Sequence, residues 1–350
     1  MAYATINKPS DYFNTVLYTG NGTTQSITGV GFQPDWTWIK ERSSTSGHEV
    51  YDSTRGATKL LSHNATDAEG TNASALTSFD NDGFSVGSGG AVNENTQTYV
   101  AWNWLANGGT TSSNTDGSIT STVQANTTAG FSIITYTGNG TSGATIGHGL
   151  GKVPKMIIQK SRVRTDYNWQ VYHAGVSSDP ETDFLRLNRT AAVADDATVW
   201  NDTAPTSSVI TLGNSIGGNA NNEDIVVYAF AEIKGYSKFG SYKGNGSADG
   251  SLVYTGFKPA WLMIHRIDSA GENWQMFDNK RDGYNVNNDM LKANVAETED
   301  AAGNFLDLLS NGFKLRETAA RHNASGGTYI YMAFAENPLV GTNGIPATAR

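Results

Sequence analysis

Six histidines, at positions 48, 63, 148, 173, 265 and 322, are the side chains of this sequence best suited to proton transfer or metal ligation. A nucleophilic triad would need a Ser, Thr or Cys beside a His and an acid. There is no Cys, and no Gly-x-Ser-x-Gly elbow lies in a strand–turn–helix setting. His48, His173 and His265 fall near strand landmarks but at unlike positions, so structural or surface roles are expected for all six. No His-Glu-x-x-His helix or EF-hand loop is present, and neither a metal nor a cofactor is expected.

Paired carboxylates leave less trace, because two Asp or Glu suffice for glycoside cleavage. Glu41, Glu49, Asp52, Asp80, Asp82, Glu232 and Glu336 are the candidates, the last two at strand ends where carboxylates are usually solvated. Asp80-Asn81-Asp82-Gly83 offers oxygen ligands to a cation, and reads more simply as a turn before Phe84. Trp102, Trp104, Trp169 and Trp274 could stack on sugar rings, although core filling is the stronger expectation for each. Trp169 and Trp274 are retained as the candidate binding residues. No catalytic residue is assigned, and the chain is expected not to be an enzyme.

The elements that would position these residues come from a triplication. Tyr18-Thr19-Gly20-Asn21-Gly22-Thr23 returns as Tyr136-Thr137-Gly138-Asn139-Gly140-Thr141 and as Tyr242-Lys243-Gly244-Asn245-Gly246-Ser247. Each opening is followed by a Pro-led apolar run, at Pro34, Pro154 and Pro259. Each repeat closes on an aromatic segment: Tyr99-Val100-Ala101-Trp102-Asn103-Trp104, Val227-Tyr228-Ala229-Phe230-Ala231-Glu232 and Tyr331-Met332-Ala333-Phe334-Ala335-Glu336. Landmarks in constant order, three times over, establish an internal repeat. Large side chains at alternate positions give the period of a half-buried strand, and Gly-Asn-Gly supplies turns. The expected fold is therefore all-β: three tandem antiparallel β-sandwich modules of jelly-roll or lectin-like type. The boundaries are 1–106 with an N-terminal arm, a linker over 107–117, 118–235, and 236–350 with a C-terminal tail. Residues 289–309 are expected to hold a short helix.

Composition narrows the partners. A net charge of −9 with no Lys/Arg run argues against nucleic acid. No stretch of about 18 apolar residues predicts a membrane span, and no secretory signal is read at the amino terminus, so synthesis in a cytoplasm is expected.

Through Asn7-Lys8-Pro9-Ser10-Asp11-Tyr12-Phe13, Gly31-Phe32-Gln33-Pro34-Asp35, Tyr51-Asp52-Ser53-Thr54-Arg55-Gly56 and Gly130-Phe131-Ser132-Ile133-Ile134, the chain resembles a domain family frequent in marine bacteriophages. The resemblance implies concanavalin-type lectin sandwiches within a virion structural protein. It points to a tail fibre or host-receptor (glycan) binding component located in the virion. It also implies other virion proteins and further copies of the chain as partners, and a host-surface carbohydrate as ligand. A capsid decoration, cement or head-fibre protein is the alternative, and a glycan-cleaving tailspike a lesser one. Residues 1–13, with Tyr3, Ile6, Pro9, Tyr12 and Phe13, are too short for a core of their own. They are expected either to attach to a neighbouring subunit or to fold back as an edge strand of the first module.

Overall fold

Each aromatic closing segment becomes the strand its alternation predicts, and in a computed structural model describing residues 4–341, Gly344 and Pro346 it lies inside a sheet. Thr98–Trp104 runs antiparallel between Phe13–Thr19 and Trp36–Glu41. Asp224–Ala231 runs between Phe131–Thr137 and Pro154–Ser161, and Thr328–Pro338 between Ser237–Lys243 and Phe257–Arg266. The next strand outward is His48–Asp52, Gln170–His173 or Gln275–Asp278. Smaller antiparallel sheets cover the far faces, for example Gln25–Thr28 with Gly83–Val86 and Leu76–Asp80. The chain is all-β, and the three α-helices among the described residues are of four residues each. No helix among the described residues is long and apolar enough to cross a membrane.

The alternation has a different meaning from the one expected. Successive side chains of a strand face opposite ways. Val100, Trp102 and Trp104 point to one side, with Val226, Tyr228, Phe230, Ile330, Met332 and Phe334 doing likewise, and all nine belong to one hydrophobic core. Their neighbours Tyr99 and Ala101, Val227 and Ala229, and Tyr331 and Ala333 point outward into three separate smaller cores. The closing strands are thus buried on both faces, not half-buried. Three large sheets share one aromatic centre, and each carries its own outer layer. Trp104 and Phe334 (5.7 Å between ring centroids), Phe230 and Phe334 (6.0 Å), and Trp36 and Phe230 (5.8 Å) join the repeats edge-to-face or at a tilt.

The repeats also hold one another in a ring. Trp169 Nε1 donates to the Ser62 carbonyl of the first repeat at 2.9 Å, and Trp274 Nε1 to the Arg186 carbonyl of the second at 3.1 Å. His48 stands at the corresponding place in the first repeat. Its Nδ1 accepts from Trp38 Nε1 (2.7 Å), which puts the proton on Nε2, and Nε2 reaches the Lys292 carbonyl of the third repeat at 2.9 Å. In each case the backbone N–H of the same residue donates to an Asn side chain, Asn64, Asn188 or Asn294.

Two of the three junctions are ionic. Arg55 binds Asp52 (2.5 Å) and Glu69 (3.0 Å), while Glu69 also takes Arg162 of the second repeat (2.8 Å) and Asp52 takes Tyr228 Oη (2.7 Å). Arg281 repeats this with Asp278 (2.5 Å) and Glu299 (2.8 Å), joined by Arg42 and by Trp102 Nε1. At the third junction Val176, Val193 and Ile267 stand at the positions of Arg55, Glu69 and Arg162, with the Val193 N–H on the Ile267 carbonyl at 3.1 Å.

Several expectations change accordingly. Residues 107–117 are no free linker: the Gly108 and Gly109 N–H groups bind Asp35, and Ser112–Asn114 pairs with Ser121–Asn126. The short helix expected over 289–309 is absent, because Leu291–Lys292 and Leu306–Leu309 are taken up by strand pairing with Gln275–Asp278 and Gly312–Leu315. In the N-terminal arm, Phe13 begins an edge strand of the first sheet. Ala4, Ile6 and Pro9 are buried, and Tyr12 meets Tyr236 of the third repeat edge-to-face, so the described part of the arm closes on its own chain. Met1, Ala2, Tyr3 and most of the tail beyond Gly341 lie outside the described residues.

Candidate functional site: a cleft in the second repeat

The three Gly-Asn-Gly openings are structural turns. In each, the Asn N–H is held by a buried amide, Asn93, Asn219 or Asn323, at 2.9 to 3.0 Å. A Cβ on Gly20, Gly138 or Gly244 would sit 2.1, 2.4 or 2.3 Å from a backbone oxygen, so only glycine fits there.

The histidines do not converge. His48, His173 and His265 are buried and bonded to backbone carbonyls, and burial lowers their pKa to about 3, 4 and 4. A neutral imidazole whose ring nitrogens serve the fold is not placed to shuttle protons. No group of three or more metal-ligating side chains occurs among the described residues.

Each candidate carboxylate has an internal partner. Glu41 accepts from Ser46, Glu49 from Tyr51, and Asp80 from Ser78 and Ser85. Asp82 accepts from the Gly29 and Gly31 N–H groups, so the Asp80–Gly83 segment is a turn lock. Glu232 pairs with Lys238, and Glu336 with Lys258. Burial raises Glu49 to about 7, and its hydrogen bond is with Tyr51 beside it.

All eight tryptophans are buried. Trp169 and Trp274, the candidate binding residues, are 0% and 1% exposed and belong to the shared core. A sugar needs an open ring face, so their role is packing and the inter-repeat hydrogen bonds described above.

An opening for a ligand lies elsewhere, in a cleft of about 380 Å³ on the second repeat. Four short segments build it. Tyr167, Asn168 and Gln170 come from the start of the Gln170–His173 strand, and Phe184 and Arg186 from the adjoining Asp183–Arg186 strand. Asp196 and Thr198 surround the start of the Ala197–Trp200 helix, where Asp196 caps the Thr198 N–H. Asn214, Ser215 and Ile216 lead into the Ile216–Asn219 helix. Glycine lets the last segment approach: a Cβ on Gly217 would meet the Tyr167 ring at 2.6 Å, and one on Gly218 would meet Gln159 Nε2 at 1.7 Å.

The cleft is polar with aromatic walls. Gln170 is 5% exposed; its Nε2 donates to Ser215 Oγ at 3.0 Å, and its Oε1 has no hydrogen-bond partner. Arg186 lies with its guanidinium 4.4 Å from the centroid of the Phe184 ring. Contrary to the sequence expectation, Gly213-Asn214-Ser215-Ile216-Gly217 is a Gly-x-Ser-x-Gly run in a strand–turn–helix setting, between the Val209–Leu212 strand and the Ile216–Asn219 helix. Ser215 Oγ caps that helix by accepting from the Gly217 N–H, and no histidine stands among the lining residues to act as its base. Such an arrangement can hold a hydroxyl-rich ligand against an aromatic ring.

None of the lining residues had been singled out in the sequence. The signal was present between the repeats, since Gln159 is buried where the other two sheets carry Ile39 and Ile264. Gln159 does not itself line the cleft; it pairs across the sheet with Gln170, which does, and its Nε2 donates to Tyr136 Oη at 3.2 Å.

A family model described as "Domain of unknown function (DUF7483)" matches residues 8–338, spanning all three repeats as one unit. No curated protein and no solved structure matches the chain.

Proposed function

The chain belongs to the DUF7483 family, whose description assigns no activity, and from its own residues we propose a non-enzymatic virion structural protein that binds host-surface carbohydrate. In this reading the three repeats are lectin-like, jelly-roll-type sandwiches, and the protein is a homo-oligomeric tail-fibre or receptor-binding component. The observation that carries the binding role is the second-repeat cleft, with Tyr167 and Phe184 beside a set of amide, hydroxyl and charged groups. The virion placement is supported by the phage-domain resemblance of the sequence motifs. A ring of three interlocked repeats with a buried aromatic centre also suits a part that must persist outside a cell without disulfides.

The test is a glycan array carrying host-surface polysaccharide fragments, probed with the intact protein. Binding that disappears in Tyr167→Ser, with unchanged thermal unfolding, is the expected result. Reducing-end assays on the bound glycans should stay flat over hours, and steady release of ends would overturn the non-enzymatic reading.

The threefold-like arrangement favours one alternative, a capsid decoration protein seated on a local three-fold position. Quantitative mass spectrometry of purified particles separates the two. An appendage requires a handful of copies, whereas decoration requires copies in proportion to the capsid subunits.

A further inference from the structure

We propose, on the premise that the second-repeat cleft is the carbohydrate site, that its ligand is a saccharide bearing a carboxylate, bound once per chain with Arg186 on the acid group.

Arg186 is a positioned but unneutralised charge. The Phe184 ring beneath it fixes the guanidinium, and a ring quadrupole attracts a cation without cancelling it. Of the other arginines nearby, Arg164 is paired with Glu223 and Arg162 with Glu69. The exposed Arg189 spends its Nε on the Asn168 side chain (2.9 Å) and, among the described residues, rests on no aromatic ring. Among the described residues Arg186 has no carboxylate partner. A guanidinium presents a planar fork of donors that matches a carboxylate in two parallel hydrogen bonds, the geometry a uronic acid offers.

The other walls suit the rest of such a sugar. The bond from Gln170 Nε2 to Ser215 orients that amide, leaving its buried Oε1 in need of a donor, which a ring hydroxyl supplies. Asp196 is the one acid in the lining. Its Oδ1 already accepts from the Thr198 N–H and hydroxyl, so it acts as a cap whose second oxygen takes a further hydroxyl. Tyr167, half-buried, provides the surface for the apolar face of a pyranose.

The other repeats lack the combination. Ser62 and Lys292 stand at the place of Arg186, and Lys292 is already paired with Glu297. Ser46 and Glu272 stand at the place of Tyr167, and Glu49 and Gln275 at that of Gln170. The triplicated scaffold therefore carries a single site.

The experiment is a ¹H–¹⁵N NMR titration of the full chain with oligogalacturonate, oligoguluronate and N-acetylneuraminyl-lactose, against neutral galactose and glucose oligomers. At least one carboxylated probe should bind at one site per chain and weaken with added salt. Arg186→Ser should lower its affinity by about tenfold or more, as loss of a charge-assisted bidentate pair implies. That variant should fold normally, because Ser62 occupies the same place in the first repeat and its carbonyl accepts the same indole bond. Neutral oligomers binding as well as acidic ones, or Arg186→Ser leaving the affinity unchanged, would overturn the assignment of an acidic ligand while leaving the carbohydrate reading standing. Three equivalents bound per chain would overturn the single site. No shift with any saccharide would overturn both this inference and the reading it rests on.

Discussion

His63 shows how one buried residue sets the chain's response to acid. Its ring lies 4.0 Å from Trp38, 4.4 Å from Trp169 and 5.9 Å from Trp36, measured between centroids, and neither ring nitrogen has a hydrogen-bond partner. Leu187 and Ala293 hold this position in the other repeats, each just before the Asn that takes the Trp N–H. Burial pushes the His63 pKa well below its usual value, as it does for His48, His173 and His265. All four are neutral when folded, whereas the unfolded chain protonates them below about pH 6.5. Their contribution is therefore complete above that pH and is lost as pH falls toward the folded values, at about 1.4 kcal/mol per pH unit for each histidine. His63→Leu should remove one such term and two unsatisfied polar atoms together. Urea unfolding of that variant should show a gain of about 1 to 3 kcal/mol at pH 7 and a shallower loss between pH 6.5 and 5. An unchanged pH slope would show that His63 is hydrated or paired in solution.

At the scale of elements, the junctions offer a comparison inside one molecule. The same backbone contact, an N–H to a carbonyl between repeats, is flanked by Arg–Glu–Arg at two junctions and by Val, Val and Ile at the third. Breaking a buried ion network strands charge, whereas replacing the whole network with well-packed apolar groups is often neutral or better. Glu299→Gln should therefore cost about 3 to 5 kcal/mol, because Arg281 and Arg42 lose their shared acid. A fivefold replacement, Asp52→His, Arg55→Val, Glu69→Val, Arg162→Ile and Tyr228→Met, copies the apolar junction, including its His173 and Met332, into the first. It leaves no Tyr228 hydroxyl without its Asp52 and Arg55 partners. It should cost less than Glu299→Gln by calorimetry, despite changing five residues. If it costs more, the ionic junctions are tuned to their surroundings in a way the apolar one does not reproduce.

For the whole molecule, the consequence of a shared core is cooperativity. Val100, Val226 and Ile330 belong to one apolar centre, so removing a repeat exposes the inner faces of the other two. Differential scanning calorimetry should give one transition with matching calorimetric and van't Hoff enthalpies. A fragment of residues 118–235 alone should remain protease-sensitive. Three resolved transitions, or a stable isolated repeat, would mean that the outer cores suffice and that the centre is only an interface. Clipping in the N-terminal arm should destabilise the whole chain, because Ile6 and Phe13 reach that same core.

Local patterns determined much of this protein. The internal repeat, the strand character of the aromatic closing segments and the Gly-Asn-Gly turns all follow from spacing and residue type. Such signals act over a few residues and repeat identically, so they can be read without knowing what packs on what. Trp169 and Trp274, read as candidate binding residues, are shown to be core only by their burial in the fold. Alternation of large side chains along Tyr99–Trp104 says that the faces differ; it does not say that both are covered, nor by which partner. That was decided by tertiary structure, where inner faces more than a hundred residues apart meet in one centre. The same reason hid the cleft: Tyr167, Arg186, Asp196 and Ser215 come from four short segments, each ordinary for a loop or strand end. Only folding brings them around one space.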